Sequence, residues 1–132
     1  MFKIVRNKRQ PSFEKNEAFF LAKLCEEKSE HPVGRAIVKG IEQRLSNDKA
    51  DLVKQFSLST TEKIDGEGVF STVQQATGRK IEVMCGNARM MLRYDVQWSS
   101  ETFRKKSERL EGENLTLVYV ALNRRVELMI GI

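Results

Sequence analysis

The sequence predicts an α+β sandwich, a twisted and mostly antiparallel sheet of about six strands flanked by two helical hairpins. Three observations carry this. Apolar residues recur at helical spacing from residue 12 to residue 45, the period shortens to that of a strand from residue 53 onward, and the last two apolar runs, "LTLVYVAL" and "RVELMIGI", are split by only two residues. The predicted order is strand, two helices, three strands, two helices, two strands.

The opening "MFKIV" is short and apolar and reads as an edge strand. Residues 12–28 place Phe13, Phe20, Leu21, Leu24 and Cys25 largely on one side of a first helix, with Ser12 as its expected N-cap. Pro32 then restarts the chain. Proline suits the first helical position and pushes the residue before it into an extended conformation, so His31 is expected at the N-cap of a second helix. That helix carries Val33, Ala36, Ile37, Gly40, Ile41 and Leu45 along one stripe, and "SNDKAD" ends it. "SEH" is the expected short link of the first hairpin.

"VKQFSLSTTEKI", from Val53, alternates and is rich in β-branched residues, which predicts a strand broken by "DGEG" at Asp65–Gly68. "VFSTVQQ" and "KIEVMCG" read as two strands around the turn "ATGR". "NARMMLRY" reads as a short helix capped by Asn87. "SSETFRKKSERLEG" reads as an amphipathic helix opened by Ser99 or Ser100 and closed at Gly112. In the final hairpin, Leu115, Leu117, Tyr119 and Ala121 alternate with Thr116, Val118, Val120 and Leu122. Both sets are apolar enough to suit the centre of a sheet.

The 132 residues suit one domain, expected to span 1–132, with a core that needs no disulfide. At 40% hydrophobic and 31% charged, the composition is that of a globular chain, and its apolar runs are too short to cross a bilayer. The N-terminus has no signal-peptide pattern. The two cysteines, Cys25 and Cys85, lie far apart in apolar surroundings and read as buried reduced thiols. With a single histidine they make a poor zinc set. The net charge of +5 permits an anionic partner.

The candidate functional residues fall in three short stretches. His31 stands at a helix mouth, where free N–H groups suit anions and an imidazole can stack on a flat ring or donate a hydrogen bond. Glu26, five residues earlier, reaches the same mouth and could accept from an exocyclic amine. Gly66-Glu67-Gly68 allows a ligand close to the backbone, and Gly86-Asn87 sets a strand end against a helix start. Each stretch alone also reads as an ordinary cap or turn. No P-loop, dinucleotide-binding glycine motif or hydrolase elbow occurs in the sequence.

Taken in order, Glu26-x-x-Ser29-Glu30-His31-Pro32, then Gly66-x-Gly68-Val69, then Gly86-Asn87 resemble the nucleotide-binding domain of a heavy-metal-transporting P-type ATPase. The resemblance runs from the first strand to "LMIGI". It departs mildly at Val33, where the family often has leucine. It implies that the domain holds the adenosine part of ATP, with Glu26 on the adenine amino group and His31 packed against the ring. Gly66 and Gly68 would be the floor with Val69 beside the base, and Gly86 and Asn87 would lie toward ribose and phosphates.

The resemblance further implies that the γ-phosphate, with Mg²⁺, is delivered to an aspartate of a separate phosphorylation domain. The family's Asp-Lys-Thr-Gly-Thr and Gly-Asp-Gly-x-Asn-Asp motifs are missing from this sequence. The chain therefore reads as an excised domain with an added Met1, holding no catalytic or metal-ligating residue of its own. The implied setting is a cytosolic domain of an integral membrane transporter, itself outside the membrane. Its partners would be ATP and the parent's phosphorylation and actuator domains, with no nucleic acid, and it would be monomeric in isolation. The Ser-Glu-His-Pro and Gly-Asn pairing leans toward the copper(I) branch. Two other readings stand beside this one: a basic nucleic-acid-binding module using Arg6, Lys8, Arg9, Lys105 and Lys106, and a non-catalytic interaction domain.

Overall fold

The computed structural model describes residues 2–45 and 49–132. Its strands are β1 (Lys3–Arg6), β2 (Phe56–Ile64), β3 (Gly68–Gln75), β4 (Lys80–Gly86), β5 (Gln97–Trp98), β6 (Leu117–Leu122) and β7 (Arg125–Gly131). Its helices are α1 (Lys15–Glu26), α2 (Pro32–Glu42), α3 (Lys49–Gln55), α4 (Ala88–Arg93) and α5 (Glu101–Glu111). The sheet order is β1-β7-β6-β4-β3-β2, antiparallel at every step, and β5 adds a two-residue parallel pairing to β7. The predicted α+β class and sheet are therefore the ones observed.

Strand alternation sorts side chains into two cores. Ile81, Val83 and Cys85 of β4 and Val118, Val120 and Leu122 of β6 face α1 and α2, where Phe20, Leu21, Ile37 and Ile41 meet them. Met84, Tyr119 and Ala121 face the opposite side, against Met90 and Met91 of α4 and Phe103 and Leu110 of α5. The β6–β7 register slips between Val120 and Ala121. Glu127 is the extra residue there, so Val126 and Met129, three apart, reach the same core. The β6–β7 turn places Asn123 and Arg124 at φ 52° and 65°, the left-handed pair that suits a tight hairpin.

Four local expectations are corrected. The first helix is capped by Glu14, not Ser12, because Glu17 Oε1 accepts from the Glu14 N–H at 3.0 Å and closes the first turn there. The link between α1 and α2 runs over residues 27–31, longer than "SEH". Val53 is helical: β2 begins only at Phe56, whose partner Gln75 is the last residue of β3. Earlier residues have no strand to pair with, and α3 turns Leu52 into the core instead. Finally, β5 stands between α4 and α5, with Trp98 packed edge-on against Phe103 and Tyr119. The expected stop signal over residues 46–48 and the Met1 start of the first strand lie outside the described residues.

Candidate functional site

The three candidate stretches converge at one end of the α1–α2 layer. His31 is the N-cap of α2, as expected, and its Nδ1 accepts from the Val33 N–H at 3.1 Å. With Nδ1 accepting, Nε2 is the ring nitrogen left to donate. The His31 N–H in turn donates to Ser29 Oγ at 3.2 Å, and the Ser29 N–H to the Glu26 carbonyl at 3.0 Å. The Ser-Glu-His-Pro stretch is thus a rigid elbow that presents an exposed imidazole.

Glu26 lies inside that elbow. It is only 6% exposed, and burial raises its carboxyl from the ordinary 4.5 to about 7. A Cβ on Gly34 would collide with Glu26 Oε2 and with Ser29 Oγ. The first turn of α2 can approach the carboxylate only because residue 34 has no side chain. Sequence reasoning missed Gly34. Its signal was a glycine inside an otherwise regular helix, which costs about 1 kcal/mol against alanine and so points to a close approach. Lys23, also buried, ties α1 to α2 through Glu42 at 3.6 Å and pairs with Glu27 at the end of its own helix at 3.4 Å.

Sheet pairing joins the two glycine stretches. Gly68 of β3 stands opposite Gly86 of β4, and Val69 opposite Cys85. A Cβ on Gly68 would meet the Cys85 carbonyl oxygen, and one on Gly86 would meet the Glu67 carbonyl oxygen and Met90 Sδ. Gly66 is exposed at φ 75°, a conformation that favours glycine, with open space where a Cβ would stand. Asn87 binds the motifs together. Its Oδ1 accepts from the Met90 N–H at 3.0 Å, its side-chain amide donates to the Gly66 carbonyl at 2.9 Å, and its backbone N–H donates to the Glu67 carbonyl at 2.9 Å.

α1 connects the elbow to this floor. Cys25 Sγ lies 3.6 Å from both the Val69 and the Val83 carbonyl oxygens. Cys25 and Cys85 are buried free thiols, as expected from sequence. A hydrogen bond with Cys25 and then burial push the Cys85 thiol up. Glu67 is a second residue sequence reasoning missed. Its side chain is 10% exposed, Oε2 lies 3.6 Å from Arg93, and Oε1 is buried without a hydrogen-bond partner. No spacing rule singles out the middle residue of a Gly-x-Gly turn.

The assembled face has an exposed imidazole, a buried carboxylate, a half-buried valine and a stretch of bare backbone. It offers a flat ring a stacking surface, an acceptor and close main-chain contact. Among the described residues no group of three or more histidine, cysteine or acidic side chains could hold a metal ion.

No family model matches the sequence. The chain is 35% identical over 120 residues to a probable copper-exporting P-type ATPase of Archaeoglobus fulgidus, a match that covers 90% of this chain and 13% of that protein. Its fold matches the crystal structure of the N-domain of HMA8, a copper-transporting P-type ATPase, with a TM-score of 0.62 and 18% identity over 98% of this chain and 96% of that one. It also matches a zinc-transporting PIB-type ATPase in its E2.Pi state, with a TM-score of 0.63 and 20% identity over 98% of this chain and 18% of that one. The chain thus spans a small fraction of the curated relative.

Proposed function

We propose that this chain, which has the sequence and fold of the N-domain of the heavy-metal-transporting P-type ATPases, holds the adenosine part of ATP and positions the γ-phosphate for transfer to an aspartate elsewhere in a larger polypeptide. The observation that supports the reading is that sheet pairing sets Gly68 and Val69 against Gly86 and Cys85, that Asn87 bonds the Gly66 carbonyl, and that Cys25, the neighbour of Glu26 in sequence, bonds the Val69 carbonyl.

Each residue has a role that follows from its position. The Glu26 carboxylate accepts from the adenine amino group, and the elbow of Ser29 and Gly34 fixes its direction. The His31 ring packs on the purine while its Nδ1 stays committed to the helix cap. Gly68 and Gly86 keep the floor flat, Val69 supplies an apolar edge, and Gly66 leaves the loop open on the ligand side. Asn87 holds that loop against α4, toward the ribose and phosphates. Mg²⁺, carried on the phosphates in the full enzyme, would offset their charge during transfer. The domain's own contribution is to fix the nucleotide's orientation.

The wider setting is part of the same proposal. The chain is one domain, 1–132, on the cytosolic side of a membrane transporter. It works against phosphorylation and actuator domains of its parent, whose cargo is a heavy-metal ion with copper(I) favoured. The isolated chain binds nucleotide as a monomer without turning it over.

The test is a titration with ATP and then GTP, following backbone amides by heteronuclear NMR, repeated with Glu26→Ala and His31→Gln. Shifts confined to Glu26, His31, Gly66–Val69 and Gly86–Asn87, much weaker with GTP and in both variants, support it. Equal, diffuse responses to both nucleotides would overturn it in favour of non-specific anion binding.

A further inference from the structure

A concave surface lies at the other end of the α1–α2 layer. It is a cleft of about 560 Å³ lined by Ile4, Arg6, Lys8, Lys15, Phe19 and Arg44. Four of these six residues are cations, and none is acidic. Among the described residues none of the four forms an ion pair, so their charges are not offset by a carboxylate within the cleft. The cations come from three separate elements: Arg6 from β1 with Lys8 just beyond it, Lys15 from the start of α1, and Arg44 just past the end of α2. Folding has therefore brought Lys15 and Arg44 up to Arg6 and Lys8, which are already close in sequence, against their mutual repulsion.

The local backbone adds to that repulsion. Lys15 is the first residue of α1, at the helix end where a cation is unfavourable. The nearby Glu17 carboxylate is already taken by the Glu14 N–H. Arg44 is held in place by a 2.8 Å hydrogen bond from Nη1 to the Gly40 carbonyl and by stacking on Phe2, its guanidinium 4.8 Å from the ring centre. Ile4 and Phe19 make the apolar floor. Glu26 and His31 sit at the opposite ends of the same two helices, about 17 Å away along α1 by helical rise.

We propose that this cleft is an anion-binding site for a phosphoryl group carrying two or more negative charges, separate from the adenosine site. Paired guanidinium forks and ammonium groups suit the several oxygens of a phosphoryl group. The volume admits a small phosphorylated molecule, with Ile4 and Phe19 against its non-phosphate part. The same chemistry is offered by a soluble polyphosphate and by a phosphorylated lipid headgroup.

The experiment follows backbone amides by NMR during titration with inorganic pyrophosphate and, separately, with adenosine. Saturable pyrophosphate shifts at Ile4, Arg6, Lys8, Lys15 and Phe19, weakened by added salt and roughly tenfold or more by an Arg6→Ala, Arg44→Ala double variant, support the proposal. Adenosine should leave these amides still. Co-sedimentation with phosphatidylcholine vesicles containing phosphatidylinositol 4-phosphate, but not with phosphatidylcholine alone, assigns the headgroup as the source. Pyrophosphate binding without co-sedimentation assigns a soluble ligand.

Shifts spread equally over Lys49, Lys54 and Arg104–Lys106, binding unchanged in the double variant, or poly-glutamate competing as well as pyrophosphate would overturn it. Failure of the adenosine reading leaves these outcomes untouched, because pyrophosphate has no base to read.

Discussion

Replacing Glu26 by glutamine should remove a pH dependence from the stability of the domain. The Glu26 carboxyl is buried in the α1–α2 elbow, and that burial raises it from 4.5 to about 7. The folded state therefore holds a proton that the unfolded chain releases between those values. Stability from this group is fully present below pH 4.5 and is lost as pH rises through about 7. At about 1.4 kcal/mol per unit, the whole displacement is worth about 3 kcal/mol, of which about 2 kcal/mol falls between pH 5 and pH 7.5. Glutamine has nearly the same shape and never ionises. Urea denaturation of both proteins at pH 5 and pH 7.5 should show the wild type losing about 2 kcal/mol more than Glu26→Gln across that interval. ATP should bind the wild type more tightly as Glu26 ionises, and Glu26→Gln should not share that gain. Parallel stability profiles for the two proteins would refute the reasoning, because the desolvation penalty would then be absent. A confirmed slope would mean that the fold retains an unfavourable carboxylate at neutral pH, as expected of a group kept for recognition.

Further outcomes test the site piece by piece. His31→Asn keeps a good N-cap and should leave urea stability nearly unchanged while weakening ATP, whereas His31→Ala should also lose about 1 kcal/mol of stability. Gly34→Ala drives a methyl group into Glu26 Oε2 and Ser29 Oγ; it should weaken ATP binding in calorimetry and lower the melting temperature, although alanine is the better helix former. Asn87→Ala removes the cap of α4 and the tie to Gly66, and should cost about 1–2 kcal/mol with amide exchange rising at residues 65–68. The buried thiols Cys25 and Cys85 should react with an aromatic disulfide reagent only as fast as the domain opens, and urea should accelerate that reaction.

The elements that were legible in the sequence are those whose cause lies within a few residues. Pro32 after His31, Asn87 before "ARMM", the Ser99-Ser100 pair before "ETF" (of which Ser100 is the cap) and the two-residue link at Asn123-Arg124 each act on backbone groups close in sequence. They formed as read. The alternation of β6 assigned its two faces correctly for the same reason, since strand geometry repeats every second residue whatever the strand packs against. Where two local tendencies competed, tertiary pairing decided. Val53 had strand-like neighbours but no partner strand, and α3 took it. Ser12 was a fair cap on its own, yet the reciprocal bond of Glu14 and Glu17 moved the helix start. Gln97 and Trp98 are too few to show a period, and β5 pairs with Arg125 and Val126, the start of β7 that β1 does not reach.

The sequence by itself determined the fold class, the caps of α2 and α4 and the three short stretches that mark the candidate site, because each depends on residue type and near-neighbour spacing. Only the tertiary structure decided that those stretches share one face, that Glu26 is buried with its carboxyl raised, that Gly34 is the gap it needs, and that four scattered cations line one cleft. Those facts depend on distances between residues far apart in the chain. They are set by how the sheet orders its strands and by how closely α1 and α2 approach it, and no local pattern carries that information.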